Sequence, residues 1–163
     1  MTLNMIPVQF EHELSNLGSG GPAALAVDAQ PRRLSCAVVE RNSLAVSFEH
    51  LRLETSELAS ASAAELERIG KALAERLTYL MEPIRPIEVD AAGCTVQLRS
   101  HPPQRDDDGR TYYELLVRRG GEIELARYRK ENDSARRRIP ATVTREVLTR
   151  LVRDSCAVLD ERK

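Results

Sequence analysis

Down one side of residues 66–80 run Leu66, Ile69, Leu73, Leu77 and Leu80, spaced 3, 4, 4 and 3 apart. That repeat is a helix with a single apolar face. The segment opens on Ser62-Ala63-Ala64-Glu65, a capping box whose serine and glutamate each satisfy a free backbone donor, and Pro83 stops it. Glu67 and Lys71 stand four apart on the wet side. Gly70 lies beside the stripe, where the missing side chain permits a strand or helix to approach closely. A helix apolar on one side needs a flat apolar partner, so this chain must fold in layers.

The partner is written as hairpins. Leu34–Arg41 and Leu44–Leu53 flank Asn42-Ser43. A two-residue turn there sets Val39 opposite Val46 and Ala37 opposite Phe48. Val46 and Phe48 then share one face while Leu51 and Leu53 fall on the other, a slip that predicts a bulge near Glu49-His50. Ile84–Asp90 and Cys94–Ser100 flank Ala91-Ala92-Gly93. Tyr112–Arg119 and Glu122–Lys130 flank Gly120-Gly121, a two-residue hairpin signal. Its implied register pairs Arg119 with Glu122, Leu116 with Leu125, Glu114 with Arg127 and Tyr113 with Tyr128. A polar loop, residues 101–110, separates these hairpins. After Pro140, Val143, Val147, Leu148, Leu151, Val152 and Leu159 make the buried face of a second helix, with Cys156 a turn beyond Val152.

The order is β-β-α-β-β-β-β-α: an α+β fold, with an antiparallel sheet of about six strands and two main helices on one face. It is similar in topology to the β-α-β4-α arrangement of TATA-binding-protein-like and helix-grip folds, with one extra strand at the start. The likeness rests on element order and implies no activity.

Residues 1–33 read as an N-terminal arm and linker, and residues 34–163 as one α+β domain. Gly18-Ser19-Gly20-Gly21-Pro22 has linker composition. Upstream, Phe10, Leu14 and Leu17 recur at helical spacing, so a mobile arm is expected, with a short amphipathic element near residues 8–17 that docks on a partner or on a second copy of the chain.

With 24 basic and 25 acidic residues the net charge is −1, which argues against a surface built wholly for nucleic acid or anionic membrane. No apolar run approaches the ~18 residues of a membrane span, and Met1–Phe10 lacks the basic and apolar regions of a secretory signal. Three cysteines make no disulfide framework. A reducing, cytoplasmic setting is the expectation.

Chemistry-bearing motifs are wanting. His12, His50 and His101 are scattered and Cys36, Cys94 and Cys156 form no Cys-x-x-Cys, so neither metal nor cofactor is expected. Aligning Gly109 with the sixth position of a calcium loop leaves Gln104 first and Leu115 twelfth, the wrong ligands. There is no Gly-x-Ser-x-Gly elbow, and Gly70-Lys71 lacks the upstream glycine of a phosphate loop.

One region stands out. From Arg99 to Arg153 there are 14 basic and 9 acidic residues. Tyr112, Tyr113, Arg127, Tyr128, Arg129 and Lys130 share one hairpin, and Arg136-Arg137-Arg138 follow in a loop expected to be exposed. Arginine and tyrosine together suit protein interfaces, and also phosphate backbones and bases. The expectation is a non-catalytic interaction or assembly module that self-associates as a homodimer or binds another protein. The alternatives are a helix-grip-type binder of a small apolar ligand, and a nucleic-acid binder using the Tyr112/Arg127 hairpin with Arg136–Arg138.

Overall fold

The computed structural model describes residues 5–162. Helix α1 (Met5–Leu17) leads into β1 (Ala23–Ala29), β2 (Arg32–Arg41) and β3 (Ala45–Thr55). Helix α2 (Ala63–Arg76) follows and runs into a 3-10 turn, Leu77–Leu80. Then come β4 (Ile84–Asp90), β5 (Thr95–Ser100), β6 (Gln104–Arg105), β7 (Gly109–Arg118), β8 (Glu122–Glu131), β9 (Arg137–Ile139), β10 (Ala141–Thr144) and α3 (Arg145–Asp160). Among the described residues ten strands form one antiparallel sheet, seven of them in the order β1-β2-β3-β8-β7-β5-β4. Short β6 pairs with β7. Beyond the Leu51–Leu125 pair β3 and β8 part, and β10 runs beside β3 while β9 runs beside β8.

The central helix forms as its sequence dictates. Ser62 Oγ accepts the Glu65 N–H at 3.1 Å, and Leu66, Ile69, Leu73, Leu77 and Leu80 are all buried. The glutamate half of the expected capping box does not form: the Glu65 carboxylate turns instead toward Arg162 at 3.6 Å. At Gly70 the sheet comes so close that an added Cβ would stand 2.8 Å from Leu98 Cδ1. Thr144 caps α3 by accepting the Val147 N–H at 3.0 Å. The three helices share one apolar core with one face of the sheet.

Three expectations need correction. Residues 5–29 are no free arm: β1 adds a strand beside β2, and α1 buries Ile6, Phe10 and Leu14 in the common core, with Leu17 packed at its margin. The hidden signal is a distant clamp. Arg145 donates to the Leu14 and Gly18 carbonyls at 2.9 and 2.7 Å, and Arg41 donates to Leu17 O at 3.1 Å and to Gly21 O. Two guanidinium groups thereby satisfy carbonyls that a helix C-terminus leaves open. The sheet also has ten strands, because β1, β6, β9 and β10 are short or poor in β-branched residues and form only by pairing with longer strands.

The third correction is register. The turn after β7 is Arg119-Gly120-Gly121, closed by Gly121 N–H to Arg118 O at 3.0 Å. It holds three residues rather than two, so Tyr112, not Tyr113, faces Tyr128. A one-residue slip turns every side chain to the other face. In the first hairpin Val38 faces Phe48. The register shifts where the Glu49-His50 bulge was expected, and again at Val39.

Candidate interaction surfaces

The expected binding residues divide between the two faces of the sheet. On the helix side, Arg127 donates to Glu82 at 2.9 and 3.3 Å and stacks over the Tyr113 ring at 4.4 Å. Ser100 Oγ donates to Glu82 Oε1 at 2.5 Å and accepts the Tyr113 N–H at 2.8 Å. Glu82, Ser100 and Tyr113 are buried. Every polar atom that Ser100 offers is thus engaged, and its carboxylate neighbour is already neutralised by Arg127. The group is a tie fastening the segment before β4 to the sheet, with no unengaged nucleophile. Arg129 is held by Asp106 at 3.0 Å and by Glu131 at 2.8 Å. Arg137 lies opposite Arg129 and remains well exposed.

On the open face, Tyr112 and Tyr128 stack with ring centroids 6.1 Å apart around Ala126. Both rings are buried, because Arg136 lies 3.9 Å over Tyr128 and Arg99 lies 5.2 Å over Tyr112. Arg136 also reaches the buried Glu114 at 2.6 Å. Arg138 donates to Tyr128 Oη at 2.8 Å and to Glu124 at 3.3 Å, and Arg52 meets the same Glu124 at 2.5 Å. Lys130 Nζ donates to the Glu131 and Ser134 carbonyls. Arg136 to Arg138 are exposed as expected, but Arg136 and Arg138 are knitted into ion pairs. The rings are therefore covered by guanidinium groups rather than presented to bases.

A different surface went unnoticed in the sequence. β4 is a free edge of the sheet, and six of its seven residues are exposed. Between it and the end of α2 runs a groove of about 670 Å³, lined by Ala74, Leu77, Thr78, Met81, Ile84 and Pro86 among others. Met81 is 86% exposed and sits at φ 67°, a left-handed position that usually favours glycine. Ile87 and Val89 are also exposed. Pro86, with no N–H to give, is tolerated because β4 is an edge. Pro83 O accepts from His101 N–H on the β5 side, so alternation turns the nitrogen of Pro86 to the open side.

The remaining chemistry is quiet. Burial pushes the Cys36 thiol up to about 12 and the Cys156 thiol to about 11, which keeps both protonated. Cys94 Sγ donates to Ala91 O. Among the described residues no three His, Cys, Asp or Glu side chains gather as metal ligands, and no helix is long and apolar enough to cross a membrane.

Titration of the open face yields one prediction. Burial and the Arg52 charge lower His50 from 6.5, with Arg138 adding and Glu124 and Glu49 opposing. The unfolded chain then binds this proton more readily, so stability is expected to start falling as pH drops below about 6.5. Burial pushes the Glu124 carboxyl up, but hydrogen bonds and charge from Arg52, with Arg138 and His50 adding, hold it below its usual range. Hydrogen bonds from Arg32 lower Glu57, and those from Arg129 lower Glu131 and hold Asp106 at about 2. These depressed carboxylates contribute stability above pH 4 that is lost as pH falls through their folded values. Denaturant midpoints across pH 2–8 should show both phases, and His50→Gln should flatten the upper one alone. An unchanged upper phase in that variant refutes the assignment.

The chain matches no family model, no curated protein and no solved structure.

Proposed function

We propose that the protein is a non-catalytic interaction module that assembles as a homodimer by packing the α2–β4 edge of one copy against that of another. The observation that carries this reading is the apolar strip at a free sheet edge: Met81, Ile87 and Val89 around a groove floored by Leu77 and Ile84. A two-fold contact needs a patch complementary to itself, and charges of both signs flank this strip. Along β4, Arg85 precedes Glu88 and Asp90; along α2, Lys71 precedes Glu75. The missing donor at Pro86 favours side-chain packing over a continuous strand ladder. Methionine suits such a site, because its flexible thioether fills irregular surfaces.

The helix-grip alternative, a pocket for a small apolar ligand, draws little support from the interior. The void bounded by Leu34, Leu53, Leu73 and Leu151 is about 10 Å³, no larger than a single water. The three free, buried cysteines support a reducing, cytoplasmic setting.

Light scattering of the full chain at tens of micromolar is expected to give twice the 18.2 kDa chain mass. Met81→Glu with Ile87→Glu should return a folded monomer, since both side chains are exposed. A wild-type monomer at low and moderate salt, or a dimer that survives both substitutions, overturns the reading.

A further inference from the structure

We infer that the open face of the sheet is a docking surface for the phosphate backbone of a nucleic acid, contacted without reading bases. The inference rests on residues that the hairpin-and-loop reading of the sequence passed over, and on the register that brings them together. Arg105 lies opposite Arg110, and Arg110 opposite Lys130. Two rows away, Arg85 lies opposite Arg99. Residues directly opposite share a face, and these lie on the face of Tyr112 and Glu114, since Arg110 stands two residues before Tyr112 and Arg99 opposes Glu114. Arg136 and Arg138 join them from β9 and the residue before it.

Like charges directly opposite each other destabilise a sheet. Elsewhere on this face the arginines are matched to carboxylates: Arg136 to Glu114, Arg138 and Arg52 to Glu124, Arg118 to Glu122. Among the described residues, Arg85, Arg99, Arg105 and Arg110 have no carboxylate within salt-bridge distance. Asp106, the closest acid in sequence, is taken by Arg129. Asp107 and Asp108 lie exposed at the β6–β7 turn, and Glu88 and Asp90 on β4 stand opposite Gln97 and Thr95 rather than opposite these arginines. A chain of net charge −1 thus concentrates uncompensated cations on the sheet face opposite the described helices.

The kind of anion follows from what the face lacks. Protein partners are gripped by a buried apolar centre within a polar rim. Among the described residues the one apolar cluster on this face, Tyr112, Ala126 and Tyr128, is already sealed by guanidinium groups. Covered rings also rule out base stacking as the main contact. A phosphate backbone needs neither feature, only cations at intervals across a flat surface. Adjacent strands place such cations about 4.8 Å apart.

The test is fluorescence anisotropy of the full chain with a labelled random-sequence DNA duplex of twenty base pairs. With Arg99, Arg105 and Arg110 free to meet phosphates in monomer or dimer, affinity should fall about 40-fold between 50 and 200 mM salt. Arg99→Gln, Arg105→Gln and Arg110→Gln together should cut affinity at least tenfold at 50 mM salt and flatten the salt dependence. The variant should stay folded, because relieved like-charge opposition offsets the loss of Arg99 over the Tyr112 ring. All three positions lie off the α2–β4 strip, so the variant should keep the wild-type solution mass, and failure here leaves the homodimer reading standing. No anisotropy change at 50 mM salt with tens of micromolar protein, or binding that the triple variant leaves intact, overturns the inference. So does equal or tighter binding of polyglutamate, which would assign the face to an acidic protein segment.

Discussion

Replacing Phe10 with alanine is expected to destabilise the protein by about 3–5 kcal/mol, the cost of emptying a fully buried aromatic site. Phe10 has no exposed surface and belongs to the same core as Leu148, Leu151 and Val27. It is the side chain through which α1 joins the body, while Arg41 and Arg145 hold the helix by its last carbonyls. For a chain of this size the melting temperature should drop on the order of 10 °C. Val8→Ala, on the exposed side of the same helix, should stay within about 0.5 kcal/mol. Denaturant unfolding of both variants decides the matter. A wild-type midpoint for Phe10→Ala would mean that the first thirty residues are the loose arm their composition suggests.

The second large effect is expected at the tie behind the α2–β4 groove. Glu82→Ala leaves the Arg127 guanidinium, only 12% exposed, without its carboxylate, and should cost about 3–5 kcal/mol. Arg127→Ala strands Glu82 in the same way. Removing both partners together, as Glu82→Leu with Arg127→Met, should restore much of the loss, because no lone charge then stays buried. Urea midpoints of the four proteins measure the coupling directly. Single variants within 1 kcal/mol of wild type, or strictly additive losses, would show that the pair contributes little to the fold.

Much of this architecture is legible one residue at a time. The capping serine, the leucine stripe and the close approach at Gly70 are local matters, and each stands where its spacing requires. So does the bulge beside Glu49-His50, because a strand whose apolar phase slips cannot keep both halves in the core without one extra residue. The binding residues were harder. Tyr112 and Tyr113 are adjacent in sequence, as are Arg127 and Tyr128, yet strand alternation and the actual turn send Tyr113 and Arg127 to the helices and Tyr112 and Tyr128 to the open face. The edge strand β4 reads as an ordinary strand, since nothing in Ile84–Asp90 says that no neighbour will cover it.

Composition and periodicity by themselves determined an α+β fold built on hairpins, with a helix after residue 62 and another near the end of the chain. These features depend on contacts a few residues apart. Val143, expected on that second helix, lies instead in β10, because residues 141–144 pair with β3 before the helix starts at Arg145. Only the tertiary structure decided the register of the β7–β8 hairpin, and with it which cations share a face. The Gly120-Gly121 signal is compatible with a turn of two residues or three. The choice is made by β3, where Thr55 N–H donates to Gly121 O at 2.7 Å. An added Cβ at Gly121, φ 101°, would stand 2.3 Å from Thr55 O. A residue more than sixty positions away sets the turn, and no local pattern carries that information.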